Sequence, residues 1–245
     1  MSVKAHYDNH LADFYEWMVG DFEAAQKQHQ SFLERNNILP QGNKTAVDLG
    51  CGHGLHAVSL AKLGFSVKAI DFNSQPLNSL ERRAKDLAIE TIQADLQSFK
   101  KHVKDAELII CMGDTIAHLQ SQKQLRNLFR NIYNKLEVNG KMVISYRDYS
   151  HTLKDTERFI PVKADANRIL TCMLEYFDTK VRVTDMLYEN KNGKWQQKVS
   201  SYMKLRIQNE AIENLVKETG FQLLSSSVQN RMHYLIAEKF ELLVQ

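Results

Sequence analysis

The sequence predicts an α/β chain: a doubly wound, mostly parallel sheet of seven strands, with an antiparallel β insertion before the last helix. Three observations carry this. Residues 46–55, Ala-Val-Asp-Leu-Gly-Cys-Gly-His-Gly-Leu, read as a buried strand, a glycine-rich turn and a helix start. From Thr45 to Tyr146 short apolar runs alternate with helical faces, the pattern of a parallel sheet covered on both sides. After Asp148 the period falls to two and a hairpin signal, Asn192-Gly193, appears.

In order, the first forty residues read as helical. Phe22, Ala25, His29 and Phe32 share one face, and Tyr7, Phe14, Tyr15 and Trp17 form an aromatic stretch ahead of them. That stretch suits either core packing or a cover over a ligand. Pro40, Gln41 and Gly42 break the chain before the first strand, Thr45 to Leu49. Leu55, Val58 and Ala61 mark a helix stopped at Gly64; Phe65 to Asp71 is the second strand. Leu77, Leu80, Ala84 and Leu87 predict a helix begun near Ser74, followed by a strand over Ile89–Gln93. Leu108–Cys111 is a continuous apolar run, as in a central parallel strand. Leu125, Leu128, Phe129, Ile132 and Leu136 predict a helix ended by Asn139-Gly140, and Met142–Tyr146 the fifth strand. Residues 168–177, 181–189 and 195–207 read as antiparallel strands, then a helix ends at Gly220 and strands 221–227 and 233–241 complete the sheet. The whole is a Rossmann-like single domain over 1–245. It divides into a helical cover (1–42), a cofactor-binding core (43–149), a β-rich substrate-side insertion (150–208) and the completion of the sheet (209–245).

Composition excludes several classes. At 245 residues, 43% hydrophobic and 25% charged, the chain has ordinary globular chemistry, and no apolar run approaches the roughly 18 residues of a membrane helix. The N-terminus lacks a signal-peptide core. Cys51, Cys111 and Cys172 are widely separated, so neither a disulfide framework nor a metal site is expected, and a reducing cytoplasm suits them. The net charge of +3 and the short basic run Lys100, Lys101, His102 and Lys104 read as a solvated helix end, so a nucleic-acid partner is not favoured.

The glycine turn carries the chemistry. Its spacing, Gly50-x-Gly52-x-Gly54, departs from the dinucleotide pattern G-x-G-x-x-G, since Leu55 stands where the third glycine should fall. Asp48, two residues before the first glycine, would repel a pyrophosphate and suit a cation such as an ammonium or a sulfonium. Asp71 ends the second strand about twenty residues on, where doubly wound folds place an acid for two ribose hydroxyls. Asp95, after the third strand, would lie over a purine amine. Met112-Gly113-Asp114-Thr115 follows the fourth strand and should face the reactive end of the ligand. His118 is a candidate base, whereas His53 and His56 read as helix-start residues.

Val47-Asp48-Leu49-Gly50-Cys51-Gly52 with Asp71 and Asp95 resembles a class I S-adenosylmethionine-dependent methyltransferase. Gly113-Asp114-Thr115-Ile116-Ala117-His118-Leu119 is similar to the G-N-S-F-A-H-L segment of the glycine N-methyltransferase-like enzymes, and Tyr146-Arg147-Asp148-Tyr149 to their H-R-N-Y. Gly20-Asp21 and Gly64-Phe65-Ser66-Val67 also match, so the similarity covers most of the chain. The resemblance implies S-adenosylmethionine as cofactor, with S-adenosylhomocysteine as product. Tyr15, Trp17, Asp48, Gly50, Cys51, Gly52, Asp71, Phe72, Asp95, Leu96, Met112, Gly113 and Asp114 would hold it. It places Arg147 on the carboxylate of an amine or amino-acid acceptor, which a guanidinium fork suits. Two departures stand out: the family's Asn is Asp114, and a basic residue expected four positions after Gly-Asp is Ala25, with Lys27 close by. A base in RNA as acceptor, or a non-catalytic cofactor binder, are the alternative readings; self-association is compatible with either.

Overall fold

The computed structural model describes Phe14, Trp17, Met18 and residues 20–240. The predicted Tyr7 and Tyr15 lie outside these. A helix α1 (Phe22–Arg35) precedes β1 (Thr45–Leu49), α2 (Leu55–Lys62), β2 (Ser66–Asp71), α3 (Ser74–Arg83) and β3 (Ile89–Gln93). β4 (Ala106–Cys111), α4 (Gln122–Lys135) and β5 (Leu136–Tyr146) follow. Then come β6 (Phe159–Ala164), β7 (Arg168–Tyr176), β8 (Lys180–Lys191), β9 (Lys194–Leu205), α5 (Asn209–Thr219), β10 (Phe221–Gln229) and β11 (Met232–Lys239).

The main sheet has seven strands in the order β10-β11-β5-β4-β1-β2-β3. β1 to β5 run parallel, and β11 enters antiparallel between β5 and β10. The order reverses beside β1, so its carboxyl end opens on the crevice where ligands of such sheets bind. Val47, Leu49, Ile109 and Cys111 pack on one face; Ala46, Leu108 and Ile110 pack on the other. Burial on both faces is why these strands read as unbroken apolar runs. The insertion forms a separate four-stranded antiparallel sheet, β6-β7-β8-β9. Leu174, Val181, Val183 and Tyr202 join its inner face to the core under α4 and α5.

Three boundaries differ from expectation. α3 stops at Arg83, because Ala84 leaves the helix and Leu87 belongs to the turn that follows. α4 stops at Lys135: Leu136 is already extended, and Asn139 takes a left-handed conformation inside the long β5. β6 is not legible as a strand, since it contains Pro161 and bulges between Pro161 and Lys163; a sheet edge tolerates both.

Candidate active site at the carboxyl edge of the parallel sheet

The glycine turn is held by its neighbours on β2. Gly50 and Cys51 donate backbone NH groups to the Ile70 carbonyl at 2.8 and 3.1 Å, and Gly52 donates to Asp71 Oδ2 at 2.9 Å. Gly50 has φ +73°, and a Cβ there would sit 2.4 Å from Thr115 Cγ2. Gly54 has φ +89° at the start of α2, and a Cβ would come within 2.2 Å of Leu80 on α3. The third glycine therefore sits at 54 because two helices close on that point, independent of any dinucleotide register.

Asp48 is 1% exposed at the end of β1, and neither carboxylate oxygen has a hydrogen-bond partner. Burial, then the charge of Asp71, pushes its pKa up to about 8, against a smaller opposing pull from the Ala57 backbone. An uncompensated acid at that depth calls for a cation. Burial above all raises the Asp71 pKa, against smaller pulls from backbone NH groups, and its two oxygens accept from Asn73 N and Gly52 N beside the turn. A Cβ at Gly113, φ +72°, would meet nothing within 4 Å, which leaves open space against the backbone after β4. An orphaned acid, a second acid beside the turn and bare backbone fit a ligand carrying an ammonium, a sulfonium and a ribose.

The other predicted residues are spread around this crevice. Asp95 is exposed and caps the short helix Leu96–Lys101 through Gln97 N at 2.7 Å, while Leu96 leans on the core. Phe72 is half-buried directly after Asp71. Cys51 and Met112 are buried in the core under α2, and the Cys51 thiol donates to the Gly52 carbonyl of the turn at 3.7 Å. Trp17 packs with Phe14, Leu170 and Leu187 on the second sheet, and its indole donates to Asp165. Asp21 caps α1 by accepting from Glu23 and Ala24. His118 lies on Tyr202, ring centres 5.7 Å apart. His53 meets Phe22, and His56 meets His29 at 4.1 Å.

Asp114 is the pivot of the acceptor side. It is 3% exposed with φ +68°, a left-handed position that Asp tolerates. Oδ1 accepts from Arg147 N at 2.9 Å; Oδ2 accepts from Tyr149 Oη at 2.8 Å and Lys204 Nζ at 2.6 Å. Despite burial, Lys204 above all holds its carboxyl below the usual range. Asp114 thereby fixes the start of the Arg147–Tyr149 segment, whose return to α5 is secured by Asp148 accepting from Asn209 N. The Arg147 side chain is exposed. Lys204 was not legible from sequence, since nothing in Met203-Lys204-Leu205 distinguishes it from an outward strand lysine.

Residues 46–140 match the family described as "Methyltransferase domain". The chain is 24% identical over 157 residues to a glycine/sarcosine N-methyltransferase of Aphanothece halophytica, covering 61% of this chain and 58% of that one. The chain thus spans little more than half the length of that relative. Among solved structures, an S-adenosylmethionine-dependent methyltransferase of Clostridium acetobutylicum superposes with a TM-score of 0.75 at 16% identity, over 95% of this chain and 99% of that one. A sugar N-methyltransferase of Streptoalloteichus superposes at 0.72 and 17% identity, over 93% and 92%. With the strand order and the turn around Asp48, these place a methyltransferase domain at residues 46–140 of a chain with the class I methyltransferase fold.

Proposed function

We propose that the chain transfers a methyl group from S-adenosylmethionine to the nitrogen of a small amine or amino acid. The observation that carries the reading is the Asp114–Arg147 arrangement. A buried, Lys204-neutralised acid fixes the Arg147 backbone at the ligand edge of the sheet and leaves the guanidinium exposed. A guanidinium so held suits an acceptor carboxylate, which it can grip at two oxygens. The neutralisation of Asp114 also answers the charge change at the position where the relatives' pattern has Asn.

When bound, the cofactor supplies an electrophilic methyl on a sulfonium. Asp48, beside the turn, would compensate the cofactor's positive charge; Asp71 would accept from the ribose hydroxyls, and Asp95 from the adenine amine. The bare backbone at Gly50, Gly52 and Gly113 allows close approach. Arg147 would orient the acceptor, and the second sheet with the Trp17 segment would exclude water. Alignment of this kind supplies about 7–11 kcal/mol in favourable intramolecular cases. His118, packed on Tyr202, is a candidate to receive the amine proton. A single domain over 1–245 and a reducing cytoplasm, suited to free Cys51, Cys111 and Cys172, complete the proposal. Among the described residues no helix is long and apolar enough to cross a membrane.

The test is calorimetric titration with S-adenosylmethionine, S-adenosylhomocysteine and NAD, followed by transfer of labelled methyl to glycine, sarcosine and amino sugars. Binding of both sulfur compounds but not NAD, and label in an amine product, is expected. A folded sample that binds neither would overturn the reading.

A further inference from the structure

Ser145 is the last residue but one of β5 and is 2% exposed. It follows the apolar run Met142-Val143-Ile144, at a depth where a hydroxyl is costly unless it is hydrogen-bonded. Its Oγ accepts from Gly113 N at 2.8 Å, and its carbonyl accepts from Asp114 N at 3.0 Å. The parallel pairing of β4 with β5 ends at Cys111 and Ile144, so one residue of β5 captures both backbone donors of the turn just beyond it. That turn holds two left-handed residues in succession, Gly113 at φ +72° and Asp114 at φ +68°. Such a conformation persists only where its surroundings fix it.

The turn touches both sides of the crevice. Thr115, next along it, donates from Oγ1 to the Met112 carbonyl at 2.7 Å, and its Cγ2 stands where a Cβ on Gly50 would come within 2.4 Å. In the other direction the Asp114 carboxylate accepts from Arg147 N, two residues after Ser145. Ser145 thus lies at the base of a short chain of contacts that reaches Gly50 on the cofactor side and Arg147 on the acceptor side. It is itself enclosed between β4 and β11, in register with Tyr234, so its effect on ligands passes through the turn.

We infer that Ser145 is a positioning residue for methyl transfer: by fixing the Gly113–Asp114 turn it sets the separation between the cofactor's methyl group and the acceptor nitrogen. The inference rests on the methyltransferase reading and deepens it. In-line transfer needs the two reacting atoms close and aligned, and a misplacement of about 1 Å costs on the order of a hundredfold in rate. Loss of the hydroxyl leaves Gly113 N without its acceptor, while the contacts of Gly52 with Asp71 and of Asp114 with Arg147 remain.

The experiment compares Ser145→Ala, Ser145→Thr and Ser145→Cys with the native protein. Labelled methyl is transferred from S-adenosylmethionine to whichever of glycine, sarcosine and glucosamine the native protein methylates fastest, well below the melting temperature of each variant. In Ser145→Ala, kcat should fall about ten- to a hundredfold, while KM for the amine and affinity for S-adenosylhomocysteine change less than about threefold. Ser145→Thr keeps a hydroxyl and should recover most of the rate. Ser145→Cys, close to serine in size but a weak acceptor, should behave like Ser145→Ala. A packing role gives the opposite order, because Thr adds a methyl group to a buried site and Cys does not. A purely structural role lowers the melting temperature of Ser145→Ala and leaves kcat of the folded sample unchanged. Either result overturns the inference while the methyltransferase reading stands. If Ser145→Ala fails to fold, the order of the Thr and Cys variants decides. A native protein that methylates none of the three probes overturns the inference together with the amine-acceptor reading, and one that binds no S-adenosylhomocysteine overturns the cofactor reading as well.

Discussion

Lys204 Nζ lies 2.6 Å from Asp114 Oδ2, and both side chains are nearly buried, at 12% and 4% exposure. This pair ties the second sheet to the loop after β4. Removing one partner of a buried ion pair leaves an uncompensated charge, whereas removing both costs far less. Lys204→Met should therefore destabilise the protein by about 3 kcal/mol, and Asp114→Asn added to it should restore most of that. Urea unfolding of the two single variants and the double variant measures the coupling. Additive losses would show that the pair does not join the two sheets.

Asp48 predicts a proton linked to cofactor binding. Its pKa of about 8 means that the folded, ligand-free chain keeps a proton that the unfolded chain releases. The Asp48 contribution to ligand-free stability should thus fall as the pH rises from about 4 to about 8, read as the difference between the native protein and Asp48→Asn, because His29 and His56 act in the opposite sense below about pH 6.5. A cation bound beside Asp48 favours its charged form, so binding near pH 7 should release close to one proton, and above about pH 9 none. Calorimetry in buffers of different ionisation enthalpy counts this proton. Asp48→Asn should abolish it.

At Gly50 the contact with Thr115 makes a sharp steric prediction. Gly50→Ala adds a Cβ 2.4 Å from Thr115 Cγ2 at φ +73°. The strain should cost on the order of 1–3 kcal/mol and shift the turn enough to weaken S-adenosylhomocysteine binding. Thermal melts and titration of the same sample check both. A variant that binds normally would show that the turn does not touch the ligand.

His29 gives an acid limit. It is 7% exposed, both ring nitrogens are unpartnered, and burial lowers its pKa to about 4. His56, against which it packs, is lowered in the same direction by burial and by His29. Here the unfolded chain binds more protons, so the stability is complete above about pH 6.5 and is lost as pH falls towards 4. His29 alone contributes about 3 kcal/mol to that loss. Urea unfolding of the native protein and of His29→Leu between pH 7.5 and 5 should show this slope in their difference, which also removes the opposing contribution of Asp48.

Much of the fold was legible because its signals are local. β1, the five-strand alternation and the αL glycine ending α5 are set by side-chain periodicity and backbone sterics within a few residues. The end of α4 was not, because Leu136 has the apolar character of a fifth helical position. Tertiary pairing with β4, through Ala106, makes it a strand residue instead.

By itself the sequence determined the doubly wound core, the turn from Asp48 to Gly54 and the acids that follow successive strands. Those features depend on residue type and spacing along one short stretch. Only the tertiary structure decided that Lys204 neutralises Asp114, that Trp17 rests on the second sheet, and that Cys172, Asp185 and Ser200 form one row. These partners lie from 13 residues apart, for Cys172 and Asp185, to 90 for Asp114 and Lys204 and more for Trp17. Which of them meet depends on strand register and on how one sheet packs against the other, and a strand residue carries the same local signal whichever face it turns to the protein.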